Sequence, residues 1–366
     1  METKRLLSLD AFRGFTIAAM ILVNFPGNWD HVFSPLLHSE WNGITFTDLI
    51  APFFLFIVGV SIAFAYTRRL EAGAPPRSLH LKLVTRSLKI FAVGMFLNLL
   101  AILGNFSFDE LRWTGTLHRI AIVFLVCGLL FLHTGWKTQA VTGAVILVAY
   151  WLAMTLIPTP GYGKVMLEPG INLAAWVDSK WLPGKMWQGT WDPEGILSTF
   201  PSVVTGITGM LAGALLLRKQ SQEQKVMALF TIGFLTAIAG VVWNWIFPLN
   251  ENLWTSSFVL LTSGLASMTL AGSIYLIDIL QYRKWAGFGI IYGSNAITIY
   301  VLADVLAKVF YGLPLGGASL NDHFFNLFTG AGVAPKIVSM AYGLLYVGIN
   351  FIPAYILNKR NIFIKL

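Results

Sequence analysis

A histidine, two carboxylates and two amides gather near the start of the chain: Asn24, His38, Glu40, Asn42 and Asp48. Four of them fall in a short polar stretch, 38–48, that runs into an uncharged apolar segment from Ile50 to Ala65. With 46–49 added, that segment is long enough to cross a bilayer. An imidazole titrates near neutral pH, so His38 can take a proton from a nucleophile or carry an acyl group itself. Asp48 can orient the ring and steady its protonated form. The amides of Asn24 and Asn42 can hold a carbonyl oxygen as negative charge builds on it. Plain structural roles are open to each as well. His38 can bond locally in its loop. Asp48 suits a helix N-terminus capped by Thr45 or Thr47, and Asn24 can simply end a helix.

The elements that must position these groups are membrane helices. The chain has 366 residues, 56% of them hydrophobic and 11% charged, against about 25% charged in soluble proteins. Apolar runs recur along its length and predict an all-α, polytopic helical membrane protein of about ten transmembrane helices. The expected spans are 10–26, 46–66, 87–104, 118–134, 138–157, 196–217, 226–247, 256–280, 285–311 and 334–357, in a single domain, 1–366. Most of the 25 Lys and Arg fall on one side of these spans, from Lys4, Arg5 and Arg13 to Lys359, Arg360 and Lys365. That bias places both termini in the cytoplasm. The net charge of +8 is then a topology signal rather than a mark of nucleic-acid binding. Part of it can meet anionic lipid or an anionic cytoplasmic ligand. The one cysteine, Cys127, excludes an intrachain disulfide and a Cys-based metal site. The first apolar run reads as a retained helix, not a leader.

Other candidates follow from this topology. Trp29, Trp41, Trp113, Trp176, Trp181, Trp187, Trp191 and Trp254 all fall in outer loops. They can be interfacial anchors or line an aromatic vestibule suited to sugar rings. The longest outer loop, 158–195, adds Asp178, Asp192 and Glu194 and is a candidate acceptor-side lid. Asp10 and Arg13 share a face at the inner start of helix 1, as a local ion pair or with Arg13 as a phosphate ligand. Ser294 and Asn295, deep in the ninth span, and Arg119, at the outer start of the fourth, can bond between helices or line a substrate path. His31, His80, His133 and His323 carry weaker signals. No spacing argues for a metal site.

Several segments resemble the heparan-α-glucosaminide N-acetyltransferase family of transmembrane acyltransferases. Ser8-Leu9-Asp10-Ala11-Phe12-Arg13-Gly14 is similar to its opening motif. The stretch 38–48 with Trp41-Asn42-Gly43, followed by Pro52-Phe53-Phe54-Leu55-Phe56-Ile57-Val58-Gly59, resembles the segment that carries the family's active-site histidine. Gly115 to Arg119, Asp192-Pro193-Glu194-Gly195-Ile196-Leu197, Asn252-Leu253-Trp254 and Ser294-Asn295-Ala296-Ile297 follow in order. The resemblance is expected to start at the catalytic core, without the lumenal region and the one helix that precede it in lysosomal members.

The resemblance implies acetyl-CoA as donor, without a metal, and an amino sugar or glycan amine as acceptor. With the apolar runs, the location expected is integral and multi-pass, in the inner (plasma) membrane if the protein is bacterial, and the family adds a possible homodimer. His38 matches the active-site position, and Asn24 and Asp48 match polar positions near it. Arg13, Asp10, Asn295, Ser294 and Arg119 are expected on the donor side. Trp41, Trp191, Asp192, Glu194 and Trp254 are expected on the acceptor side. Acetyl transfer directly from thioester to amine, with His38 as base, and transfer through acetyl-His38 both fit. O-acylation of an envelope polysaccharide, secondary transport of a sugar or anion, and a purely structural membrane role are the rivals. The absence of an inverted repeat and of paired broken helices counts against transport.

Overall fold

The computed structural model describes residues 6–104, 106–314 and 316–364. Lys4, Arg5 and Lys365, used above to set the orientation, lie outside the described residues. The helices are α1 (Leu7–Asn24), α2 (Ile50–Glu71), α3 (Pro76–Ala101), α4 (Thr116–His133), α5 (Trp136–Leu156), α6 (Leu173–Trp181) and α7 (Ile196–Leu216). They continue with α8 (Gln222–Trp243), α9 (Ser256–Ser273), α10 (Ala286–Ser294), α11 (Ala296–Phe310), α12 (Leu320–Gly330) and α13 (Pro335–Lys359). The described residues form no strand. Arg112 and Gly184 make an isolated antiparallel bridge. Among the described residues nine helical stretches are long and apolar enough to cross a membrane, and the bent pair α10–α11 makes up to ten. The chain is a polytopic helical membrane protein, as the apolar runs predict. A helix satisfies its own backbone polar groups, which lipid cannot do.

Four local features differ from the sequence expectation. The third helix begins at Pro76, not at 87. Proline suits a first helical position because it lacks the N–H that would be unpaired there. The added turns carry Arg77, Lys82 and Arg86, whose charges mask a helix in an apolar-run reading. Arg86 lays its guanidinium 4.9 Å from the Phe124 ring centre. The ninth span is not continuous: it breaks at Asn295 with an 82° bend. Asp48 stands on a single 3₁₀ turn, Thr47–Leu49, that leads into α2. The loop 158–195 holds α6, whose N-cap Asn172 accepts the Ala175 N–H at 2.9 Å.

The chain packs as two compact units. One comprises residues up to Ser39, Thr45–Ile50 and the chain from Gly272 onward; the other comprises Glu40–Ile44 and Ala51–Ala271. In the first unit α1 packs on α10, α11 and α13. Gly289 and Gly293, four apart on α10, bring its backbone against α1, the close approach that small residues permit in membranes. A Cβ on Gly293 would strike the Asp10 carbonyl, and one on Gly14 would strike the Gly289 carbonyl. In the second unit α7 is buried almost all round, packing on α4, α5, α6 and α8. α3, α5 and α8 bury little of their apolar surface, as lipid-facing helices do.

The α1–α10 contact gives a direct test. Gly293→Val is expected to destabilise the protein by about 1–3 kcal/mol through overpacking, read as earlier thermal unfolding in detergent. Gly287→Ala, on the same helix but facing open space, is expected to be neutral or slightly stabilising.

Candidate active site

The loop after α1 is fixed to the last helices of its own unit. Tyr311 Oη donates to the Pro26 carbonyl at 3.0 Å, and Asn321 Nδ2 donates to the Gly27 carbonyl at 3.2 Å. Asn28 N–H donates to Ser339 Oγ at 3.1 Å, and that hydroxyl donates back to the Asn28 carbonyl at 2.9 Å. From this anchor the chain runs through 3₁₀ turns at Trp29–His31 and Ser34–Leu36 to His38.

Asp48 organises the end of the loop. Its side chain is 0% exposed, whereas that of His38 is 57% exposed. Asp48 Oδ1 lies 2.8 Å from His38 Nδ1. Oδ2 accepts the Thr45 N–H at 2.7 Å and the Ser39 N–H at 3.2 Å, with Thr45 Oγ1 at 3.2 Å. The threonine hydroxyl also reaches the Leu37 carbonyl at 2.7 Å. A carboxylate that collects this many donors is held as an acceptor only. Nδ1 of His38 therefore donates to Asp48, and in the neutral ring Nε2 then carries the lone pair. A ring held this way by a buried carboxylate can act as a general base. Thr45, considered above as a helix cap, instead holds Asp48.

The other expected site residues are placed as follows. Asn24 is the last residue of α1 and half-buried; its amide finds no hydrogen-bond partner among the described residues. Arg13 donates to Asp10 Oδ1 at 3.4 Å and to the Gly293 carbonyl at 3.5 Å, so the i,i+3 pair also touches the α1–α10 contact. Asn295 sits at the helix break and grips the C-terminal tail. Its Oδ1 accepts the Ile364 N–H at 2.8 Å, and its Nδ2 donates to the Ile362 carbonyl at 3.0 Å. Ser294 Oγ donates to the Ile291 carbonyl at 2.7 Å.

The second unit holds the aromatic and acidic candidates. Trp41 Nε1 donates to the Leu167 carbonyl at 3.0 Å, and its ring meets Trp191 edge-on at 5.3 Å. Asn250 Nδ2 donates to the Trp41 carbonyl at 2.9 Å and to Asn42 Oδ1 at 3.3 Å. Arg112 is the hub of the long loop. It binds Asp192 through Nε at 2.8 Å and through a terminal nitrogen at 2.6 Å, and reaches Glu194 at 2.5 Å. Burial alone would lower the Arg112 pKa, but the two carboxylates outweigh it and raise it. Burial alone would raise Asp192, and the guanidinium outweighs it and lowers it. Asp192 also accepts the Trp187 and Glu194 N–H groups at 3.0 Å each.

Arg119 is buried, donating to the Pro193 carbonyl and to Ser198 Oγ at 2.6 Å each, 4.8 Å from the Trp254 ring centre. Trp254 itself is 2% exposed and donates to Thr205 Oγ1 at 3.1 Å. In this geometry Asp192 and Trp254 spend their polar groups on the protein itself, while Arg119 bonds through one terminal nitrogen and keeps a buried Nε with no partner among the described residues. Asp178, also buried, accepts the first N–H of α7, from Ile196, at 2.9 Å. Burial raises its pKa to about 6, against the opposing pull of that N–H.

Two tests follow from this geometry. Thr45→Val keeps the N–H but loses the hydroxyl, and is expected to cost about 1 kcal/mol of stability; Thr45→Ser should restore it in the same unfolding measurement. Ionising Asp178 in the fold is unfavourable, so its contribution is full below about pH 4 and is lost as pH rises through about 6. Asp178→Asn should therefore gain on wild type across that window, by on the order of 2–3 kcal/mol, in melting curves taken at stepped pH.

Residues 5–244 match the family model described as heparan-alpha-glucosaminide N-acetyltransferase, catalytic. The chain is also similar to two curated proteins named heparan-alpha-glucosaminide N-acetyltransferase. The Mus musculus protein is 28% identical over 420 aligned residues, covering 100% of this chain and 61% of the relative. The Homo sapiens protein is 29% identical over 418, covering 99% and 60%. The chain thus spans about 60% of the length of these relatives. The span 5–244 takes in well over half of the chain, including His38, Asp48 and the Arg112 hub, and the chain belongs to the heparan-α-glucosaminide N-acetyltransferase catalytic family.

Proposed function

We propose that this protein is a transmembrane acetyltransferase. It moves the acetyl group of cytoplasmic acetyl-CoA to the amine of an amino sugar on the opposite face of the membrane. The observation that carries the reading is the buried Asp48 carboxylate, 2.8 Å from Nδ1 of a largely exposed His38. Nε2 takes the proton from the acceptor amine as its nitrogen bonds to the thioester carbonyl carbon. The carbon–sulfur bond breaks, and the proton passes to the departing thiolate. Asn24 or Asn42 donates to the carbonyl oxygen as charge develops there. In the variant route the acetyl group rests on His38 before the amine takes it.

The basic bias of the loops supports a cytoplasmic location for both termini and for the donor. Arg13, with Asp10, is the candidate for the donor's phosphates. Asn295 and Ser294 act at the helix break, where Asn295 binds the tail. Trp41 and Trp191 offer indole faces to a sugar ring. Asp192 and Glu194 shape the acceptor side by holding the loop 158–195 to Arg112, and Arg119 and Trp254 support that loop from beneath. We assign the protein to a plasma (inner) membrane and to one acyltransferase domain, with homodimer formation and lipid contacts as further expectations.

The α10–α11 break favours a second reading, because discontinuous helices mark many transporter binding sites. Uptake of a labelled sugar or anion into proteoliposomes without acylation would establish it. A hydroxyl acceptor would instead give an ester product, distinguishable by mass and by alkaline lability.

The test of the main reading is turnover of labelled acetyl-CoA with a panel of amino sugars. His38→Ala is expected to lose about 10²–10⁴ in rate while still binding CoA. Near wild-type turnover in that variant sinks the proposal. Label retained on wild type but not on His38→Ala, in the absence of acceptor, would identify the acetyl-histidine route.

A further inference from the structure

The α3–α4 interface of the second unit ends in two histidines that the proposed chemistry does not use. Along it, Leu83 packs over Gly128, and Ser87 Oγ donates to the Ala121 carbonyl at 2.8 Å. At its end His80 Nε2 and His133 Nε2 stand 2.8 Å apart. His80 Nδ1 lies 2.7 Å from the Pro76 carbonyl oxygen. A carbonyl oxygen only accepts, so Nδ1 carries the His80 proton and Nε2 its lone pair. Metal-ligating histidines are commonly held this way, one nitrogen tied to a carbonyl and the other presented to the ion. His80 is half-buried and His133 exposed, so ions and water reach the pair.

We propose that His80 and His133 form a transition-metal site of the copper(II) or nickel(II) class that staples α3 to α4. Two nitrogens in adjacent positions of a square-planar or octahedral ion, each about 2.0 Å from it, lie about 2.8 Å from one another. A tetrahedral ion needs about 3.3 Å. The ring centres are 4.9 Å apart with a 40° tilt, so the rings face one another more directly than an ion requires. A swing of roughly 20° in each, within the width of a rotamer well, turns both lone pairs onto one ion. His133 shifts its proton from Nε2 to Nδ1 through solvent, and the metal replaces the N–H···N bond with no change in the charge of the pair. Water completes the coordination. Arg77, Lys82 and Lys137 lie nearby in the sequence and oppose any dication. The two imidazole ligands favour copper(II), at the head of the affinity order, over magnesium or calcium, which prefer oxygen. Sequence spacing hides the site because the ligands are 53 residues apart.

The test is titration of tag-free, detergent-solubilised protein with copper(II) alone, followed by calorimetry and by the nitrogen splitting in electron paramagnetic resonance. Wild type and His38→Ala are expected to bind one ion through two nitrogens and to unfold at higher temperature with copper. His80→Gln and His133→Gln are expected to bind roughly tenfold or more weakly and to gain no stability. His133 is exposed, so its replacement leaves the helix packing in place even if His80→Gln fails to fold. Binding unchanged in both variants, binding lost in His38→Ala, or no binding by wild type would overturn the proposal. The last result would leave a hydrogen-bonded pair only.

Discussion

A buried carboxylate with too few donors would push the loop between α1 and α2 open; Asp48 has enough of them. Desolvating a carboxylate is expensive unless its lone pairs are filled. Here the fill comes from groups that the loop must bring together: the Ser39 and Thr45 N–H groups and the His38 ring, with the Thr45 hydroxyl shared between Asp48 and the nearer Leu37 carbonyl. The same contacts that make Asp48 tolerable in the interior therefore fix the loop's path and the tautomer of His38. One buried group thus ties the folding of the loop to the orientation of the imidazole.

The second unit uses the same device with a different partner. Asp192 is buried at the end of the long loop and is satisfied by the Arg112 fork and two backbone N–H groups. Asp178 fills the comparable role at the N-terminus of α7, with only backbone donors, and its raised pKa records that weaker compensation. Charged groups with guanidinium or imidazole partners thus hold irregular segments, while glycines hold the helices. In lipid, where apolar contacts do not drive helices together, close backbone approach such as that of Gly293 to α1 carries much of the association.

Much of the fold was legible because apolar length is a strong signal. The misses have local physical causes. Arg77, Lys82 and Arg86 hid the first turns of α3. Hydropathy also does not register a bend, so the Asn295 break went unseen within an apolar run. His38 and Asp48 were legible as a pair because they lie only ten residues apart. Arg112 and Asp192 are 80 apart, and only the folded chain joins them. Trp254 read as an outer aromatic but is buried, its backbone held at φ +52°. A loop tryptophan and a core tryptophan share the same sequence signal until the chain around them is known.

The central claim is that one group, His38 held by Asp48, serves a donor and an acceptor that never share a compartment. The most direct measurement encloses labelled acetyl-CoA in proteoliposomes, with the protein in one orientation, and places glucosamine outside. The account predicts N-acetylated product outside for wild type when the donor is on the side of the termini, with Asp48→Asn strongly impaired. Product formed only when both substrates occupy the same side, or formed equally well by Asp48→Asn, would contradict it.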